Sequence, residues 1–141
     1  MTNQIYPCLW FDKQAKTAAE FYCSIFPNSK IISENPMVVN WELDGQRMIG
    51  LNGGPIFPQT EAVSLVVECN DQTEIDTYWN KLIADGGKES QCGWCKDKFG
   101  VSWQVVPKII GELMSNPERA QRVSAAYMKM QKLDIETLMN A

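Results

Sequence analysis

The sequence predicts an α+β fold of two modules with the same order, each a strand, a helix and three further strands, followed by C-terminal helices. The order of elements before the linker composition Gly53-Gly54-Pro55 repeats after it. An aromatic pair recurs in both predicted helices, as Phe21-Tyr22 and Tyr78-Trp79. A cap and a proline at Asn116-Pro117 then begin a separate helix. We expect two modules and a tail in one compact unit, at residues 1–54, 55–107 and 108–141.

The first module opens with an apolar strand over residues 5–11. Apolar residues then follow the 3.6-residue period of a helix with one buried stripe, at Ala15, Ala18, Ala19, Tyr22 and Phe26. A hairpin follows through Asp44-Gly45, a dipeptide typical of two-residue type I′ turns, which pairs Trp41 with Met48 on one face. The remaining strands are expected at residues 30–34, 38–43 and 46–52.

The second module repeats this order, beginning with a strand over residues 62–69. Asp71 with Glu74 three residues later has the pattern of a capping box, which predicts the start of a helix. That helix carries an apolar stripe of Ile75, Tyr78, Trp79, Leu82 and Ile83. A weakly marked strand near residues 88–91 leads into the last hairpin.

The last hairpin carries the candidate functional face. With Asp97 to Gly100 as a four-residue loop, Cys95 faces Ser102 and Trp94 faces Trp103, because side chains alternate between the faces of a sheet. One face then presents two indoles for a helix to cover. The other face presents Cys95, Ser102 and Gln104.

The tail has strong helix signals. A helix begins at Pro117 and presents Val123, Tyr127 and Met130 on one side, and Asp134 can cap a last short helix. Because no earlier segment is obviously reserved to receive this apolar side, we expect core packing or a dimer contact. Burial of the tail and of the strand edge bearing Pro7 predicts a homodimer.

Composition excludes several classes of function. A net charge of −4 without a basic cluster disfavours nucleic acid and acidic membrane surfaces, so the partner is expected to be a small molecule. The N-terminal residues lack a signal-peptide pattern and no apolar run reaches membrane-spanning length, which predicts a cytoplasmic protein. The absence of histidine excludes Cys/His dyads, Ser/His/Asp triads and histidine-ligated metals.

Five cysteines without a secretion signal indicate reduced thiols. Cys92 and Cys95 have the spacing of a dithiol redox site, but such sites need the first thiol at a helix N-terminus. On an extended strand their Cα atoms lie roughly 10 Å apart, beyond disulfide reach. We therefore do not assign them a redox role.

Several motifs resemble one family. Residues 6–12, 71–76, 92–94 and 97–104, together with Trp79 and Ala19-Glu20-Phe21-Tyr22, are similar to the PhnB-like group, which carries the name 3-demethylubiquinone-9 3-methyltransferase. That group lies in the glyoxalase, bleomycin-resistance and dioxygenase (vicinal oxygen chelate) superfamily. The resemblance implies two βαβββ modules that form a cup-shaped mixed sheet, and a homodimer. We expect no cofactor, because the chain has no glycine-rich strand-to-helix turn for a nucleoside cofactor.

The resemblance also implies where a metal would bind. The superfamily's ligand positions fall on Pro7, near Asn52, on Ser64 and on Gln104. Proline has no side-chain donor, and the other three are weak neutral ligands compared with histidine and glutamate. We therefore expect no metal.

Two interpretations of the cup remain open. Trp41 and Met48, with Ser64, Cys95, Ser102 and Gln104, line a cavity for a small organic molecule, or the apolar ones fill the core. Glu68 shares a face with Ser64 and is a candidate catalytic base if the cup desolvates it, or it is a solvated residue at a strand end. We therefore predict a metal-independent small-molecule-binding protein. The alternative is a lyase or isomerase that uses Glu68.

Overall fold

A computed structural model describes residues 4–141, which divide into two compact units, one up to Gln59 and one from Thr60 to Ala141. We call them unit 1 and unit 2. Each unit contains a four-stranded mixed sheet. Within the described residues, no helix is both long enough and apolar enough to cross a membrane.

Unit 1 has the predicted order of strand, helix and three strands. Its strand order is β1-β4-β3-β2, with β1 parallel to β4 and the other pairs antiparallel. Its elements are β1 (Cys8–Phe11), α1 (Ala15–Ile25), β2 (Lys30–Glu34), β3 (Val38–Leu43) and β4 (Gln46–Asn52). The first strand is shorter than predicted, because Ile5 lies outside it and is exposed.

Unit 2 repeats the order and adds the tail. Its strand order is β5-β8-β7-β6, with β5 parallel to β8. Its elements are β5 (Ser64–Cys69), α2 (Gln72–Ile83), β6 (Lys88–Glu89), β7 (Trp94–Lys96), β8 (Ser102–Pro107), α3 (Ile110–Leu113), α4 (Pro117–Tyr127) and α5 (Ile135–Met139). The short helix α3 was not predicted, since its four residues carry no cap signal.

The hairpin of unit 1 has the predicted register. Asp44 and Gly45 both have positive φ, at 47° and 83°, as a type I′ turn requires. Trp41 therefore pairs with Met48, and both side chains are buried. The stripe of α1 is also as predicted at Ala15 to Tyr22, although Ile25 replaces Phe26 as its last buried member.

The capping signals were correctly predicted. The side chain of Asp71 accepts a hydrogen bond of 2.9 Å from the backbone N–H of Glu74 at the start of α2. The carboxylate of Glu74 in turn accepts from the backbone of Asn70, one residue before the expected partner. Asn116 and Asp134 cap α4 and α5 in the same way.

The last hairpin differs from the prediction by one residue. The structure pairs Trp94 with Gln104, Cys95 with Trp103, and Lys96 with Ser102, around a loop of residues 97–101. A shift of one residue moves each side chain of one strand to the other face of the sheet. Cys95 therefore lies on the face with Trp103, and Trp94 lies on the face with Gln104.

The side chain of Asp97 explains this register. Asp97 is 3 % exposed, and its Oδ1 accepts hydrogen bonds from the backbone N–H groups of Phe99 and Val101. Its Oδ2 accepts from Nε1 of Trp103 at 2.9 Å. These bonds enlarge the loop by one residue, and alternation along the strands does not reveal them.

The tail packs on its own unit, which corrects the view that no segment receives it. Leu113, Val123, Leu133 and Leu138 form a buried cluster that also packs against Val106 and Ile109. Gln72 of α2 donates to the carbonyl of Leu133 and accepts from the N–H of Ile135. The tail also binds the segment just before β7, since the N–H groups of Cys92 and Gly93 donate to the backbone carbonyls of residues 130 and 131. The tail is therefore part of the core of unit 2.

Candidate functional site

The candidate site is the face of the unit 2 sheet that α2 does not cover. We call it the open face. Cys95, Trp103 and Val105 are buried on the side where α2 packs. By alternation along β5, β7 and β8, the open face carries Ser64, Val66, Glu68, Trp94, Lys96, Ser102, Gln104 and Val106.

A side-chain hydrogen bond joins the neighbouring strands β5 and β8 on this face. Nε2 of Gln104 donates to Oγ of Ser64 at 2.9 Å. In this orientation the amide nitrogen donates and the serine oxygen accepts. The amide oxygen, the second amide N–H and the serine proton are the groups that this pair can still offer to a ligand.

Ser102 lies beside this pair and is 1 % exposed. Its backbone is paired with Ser64 on one side and with Lys96 on the other. Its Oγ has no hydrogen-bond partner among residues 4–141. A buried hydroxyl without a partner costs about 1–3 kcal/mol, so such groups in native proteins are usually explained by a water molecule or ligand.

A cation and an indole flank the serine. Lys96 forms an ion pair with Glu61, which lies in the segment before β5. The hydrogen bond from Lys96 is the largest cause that holds the pKa of Glu61 below its usual range. Trp94 is half-buried on the same face, next to Gln104. The face thus combines hydroxyl, amide, ammonium and aromatic groups within two strand spacings.

Cys95 is not part of this face, contrary to the sequence-based expectation. It is 1 % exposed on the helix side, and burial, followed by the charges of Asp97 and Glu89, raises its pKa to about 12. A thiol with that pKa is protonated and unreactive at neutral pH. Cys92 of the same motif has a φ of 60° and lies before β7, so the two thiols do not form a dithiol site.

Trp41 and Met48 are core residues of unit 1. Trp41 is fully buried, and its ring stacks on Tyr22 of α1 with the ring centroids 6.3 Å apart. A Cβ placed on Gly50 would lie 3.0 Å from the indole, which shows how closely the backbone approaches the ring. Both side chains are therefore buried within unit 1, and Trp41 also lines a cavity of about 200 Å³ there.

Glu68 lies at the far end of the open face and is exposed. It comes four positions after Ser64 on β5, which is about 13 Å along an extended strand. The general-base hypothesis needs this carboxylate to be enclosed in a cup, whereas its side chain is exposed in the structure. Glu68 is the penultimate residue of β5, and its exposure favours the interpretation of a residue at a strand end.

Two cavities lie outside the open face. One of about 200 Å³ in unit 1 includes Ser33, Asn40, Glu42 and Arg47 in its lining, and there the amide of Asn40 bonds both Ser33 and Arg47. The other, of about 600 Å³, lies where α2 begins and α5 packs. Its polar groups at Asn70, Asp71 and Gln72 already bond Glu74 or the tail. Several polar groups in each cavity therefore already have partners, although the Nε1 of Trp41, which also lines the first cavity, has none among residues 4–141.

The positions that a superfamily metal would use do not fit a metal. Asn52 is occupied, since its Oδ1 accepts from the N–H of Ala15 and its Nδ2 donates to the carbonyl of Pro36. Ser64 and Gln104 bond each other, and Pro7 has no side-chain donor. Across residues 4–141, no three Cys, Asp or Glu side chains converge to replace them.

A nucleoside cofactor does not fit the strand-to-helix turns either. These turns are residues 12–14 and 70–71, and neither contains glycine. At the second turn, the carboxylate of Asp71 already occupies the N-terminus of α2, where a phosphate or other anion would bind. The name methyltransferase therefore has no support in these turns.

Sequence reasoning missed Trp94, Lys96 and Glu61. The first two were placed on the wrong face because the loop was counted as four residues. Asp97 was the available signal, since aspartate often accepts hydrogen bonds from the backbone two residues later in a turn. Glu61 is brought to the site by tertiary structure, and its local sequence gives no indication of that.

Known structures share this fold. The fosfomycin resistance protein FosX of Listeria monocytogenes, solved with Mn(II) and sulfate, is 17 % identical with a TM-score of 0.58, over 86 % of this chain and 98 % of that one. A glyoxalase-related enzyme of Fulvimarina pelagi is 13 % identical with a TM-score of 0.56, over 77 % and 91 % of the two chains. At these identities the likeness shows the fold alone. No curated protein sequence matches the chain.

Two findings identify the family. The sequence profile of the family described as 3-demethylubiquinone-9 3-methyltransferase matches residues 3–106. A PhnB protein from Bacillus cereus with the same description is 30 % identical, with a TM-score of 0.68, over 74 % of this chain and 99 % of that one. The chain therefore belongs to this PhnB-like family, described as 3-demethylubiquinone-9 3-methyltransferase.

Proposed function

We propose that the chain binds a small organic molecule on the open face of unit 2, without a metal ion. The observation that carries this proposal is the hydroxyl of Ser102, which is buried without a partner beside the Ser64–Gln104 pair. A ligand oxygen that bonded this hydroxyl would remove the penalty of an unpaired buried group. Trp94 supplies an apolar surface next to these polar groups, as small-molecule sites usually do.

Metal independence is the second part of the proposal. It is supported by the chemistry of the mapped positions, where neutral hydroxyl and amide groups bond each other or the backbone. Elemental analysis of protein purified without chelator should show well under one Zn, Ni, Mn or Fe per chain. Stoichiometric metal that is lost in Gln104→Ala would contradict this part.

Binding without turnover agrees better with the geometry than catalysis does. A lyase or isomerase that used Glu68 would need this carboxylate to be desolvated and close to the ligand. Glu68 is instead exposed and lies about 13 Å from Ser64 along the strand. The other carboxylate at this face, that of Glu61, is paired with Lys96, so we propose a binding protein.

Ser102→Ala tests the proposal with two readouts. In the free protein this substitution removes a buried hydroxyl that makes no hydrogen bond. No bond is lost, so the free energy of unfolding should rise by about 1 kcal/mol. Fragments from a small-molecule library that shift the Trp94 indole NMR signal should bind this variant more weakly. Ser24→Ala, at an exposed serine that bonds the carbonyl of Phe21, is the control.

The two readouts have clear opposing outcomes. A stabilised Ser102→Ala variant with weakened fragment binding supports a ligand site that is kept at a cost in stability. A destabilised variant shows that the hydroxyl already has a partner in the free protein. Unchanged fragment binding would exclude Ser102 from the site.

A further inference from the structure

We infer that the ligand carries a carboxylate, and that Glu61 occupies the position of this carboxylate in the free protein. The inference rests on the proposed function, since it concerns the same open face. It adds the chemical class of the ligand and an internal competitor for its binding.

The inference begins with Lys96. It is the only cation among the eight open-face residues, and its backbone pairs directly with Ser102, which pairs with Ser64. Neighbouring strands are about 4.8 Å apart, so a cation, a buried hydroxyl and a hydroxyl–amide pair follow one another over roughly 10 Å. An ammonium beside a hydroxyl donor is an arrangement that binds an oxyanion.

In the free protein, the anion next to Lys96 is Glu61. The side chain of Glu61 is 61 % exposed, and it reaches Lys96 from the connection that precedes β5. Water screens such an ion pair, so it is held weakly. Glu61 is thus a carboxylate bound by a cation at the rim of the site, and it can swing away into solvent.

Exchange of Glu61 for a ligand carboxylate conserves the ion pair of Lys96 and adds contacts. One ligand oxygen takes the place of the glutamate oxygen, and another accepts the proton of the Ser102 hydroxyl. Glu61 itself makes no hydrogen bond to that hydroxyl, which has no partner within residues 4–141. A neutral ligand gains no ion pair and has no charge with which to displace Glu61.

The test compares benzoate with benzamide, which differ in charge but hardly in shape. Binding of each is followed by NMR at the Trp94 indole and the Gln104 side-chain amide, in the wild type and in Glu61→Gln and Lys96→Gln. Removal of the competitor in Glu61→Gln should tighten benzoate binding by about fivefold, a size in keeping with an exposed ion pair. Lys96→Gln should reduce benzoate affinity to that of benzamide.

Glu118→Gln is the matched control, because it neutralises an exposed glutamate of an ion pair on α4, outside the open face. It should change neither affinity. Benzamide should bind equally to all four proteins. Added salt should weaken benzoate binding and leave benzamide binding unchanged.

The outcomes separate this inference from the proposed function. Equal binding of both probes at Trp94, with no effect of Glu61→Gln, overturns the carboxylate inference and leaves the small-molecule site in place. Absence of any response from the open face to either probe overturns both. Tightening of benzoate by Glu118→Gln as much as by Glu61→Gln would show a general charge effect, and would also overturn the inference.

Discussion

Removal of the Asp97 side chain should both destabilise the protein and change the face on which Cys95 lies. Its carboxylate accepts three hydrogen bonds, from two backbone N–H groups of the loop and from the indole of Trp103. Asp97→Ala leaves these three donors without that acceptor, at about 1–3 kcal/mol for each donor that stays buried. Since the loop can open to water, we expect a loss of about 4 kcal/mol in the free energy of unfolding.

Urea unfolding followed by tryptophan fluorescence measures this loss. Asp134→Ala is a suitable control, because it removes a single capping bond to Thr137 and should cost about 1 kcal/mol. Native labelling with iodoacetamide and peptide mass spectrometry then reports on the register. Cys95 should be unlabelled in the wild type and labelled in Asp97→Ala. A loss below about 1 kcal/mol with Cys95 still protected would refute the role of Asp97.

The remaining predictions concern two indoles, two thiols and the assembly. Trp41→Phe should be less destabilising than Trp79→Phe by about 1 kcal/mol. The N–H of Trp41 has no partner among residues 4–141, whereas the N–H of Trp79 donates to a carboxylate at 3.0 Å. Equal shifts of the urea midpoint in the two variants would contradict this. Burial raises the pKa of Cys69 and Cys95 from 9.0 to about 12, so the unfolded chain ionises first. The free energy of unfolding should therefore fall as pH rises from 9 towards 12, and replacement of both thiols by alanine should reduce that fall; an unchanged slope would contradict the burial argument. We also predict a homodimer. Phe57→Ser should weaken it, because this aromatic side chain is 60 % exposed and exposed apolar surface often marks a protein contact. A monomeric mass by light scattering at micromolar concentration would contradict this prediction.

The two hairpins show how far sequence reasoning reaches. In unit 1 the turn is two residues long, and Asp44-Gly45 specifies its type, so the register of β3 and β4 follows directly. In unit 2 the loop length depends on hydrogen bonds from the Asp97 side chain to groups up to six residues away. A pattern of apolar and polar residues contains no information on such bonds. Because of this error of one residue, Cys95 was predicted on the candidate face, where the structure has Trp94 instead.

The tail shows a different limit. Its helix starts were predicted from local caps at Asn116 and Asp134, because capping depends on neighbours within four residues. The packing partner of the tail was not predicted, because Gln72 forms its hydrogen bonds with the tail across more than sixty residues of sequence. Removal of the tail should therefore unfold unit 2.

The candidate site was predicted in part. Ser64, Ser102 and Gln104 were expected on one face, and the structure places them together. The pairing of Lys96 with Glu61 was not foreseen, because it depends on how the segment before β5 is positioned. The absence of a partner for Ser102 is likewise a property of the packed chain.

The central claim is that Ser102 and the Ser64–Gln104 pair form a ligand site. A crystal structure of the full chain with benzoate bound tests it most directly. We predict ligand density within hydrogen-bond distance of the Ser102 Oγ, with Glu61 released from Lys96. Density for benzoate only in the groove between α2 and α5, with the Glu61–Lys96 pair intact, would contradict the account.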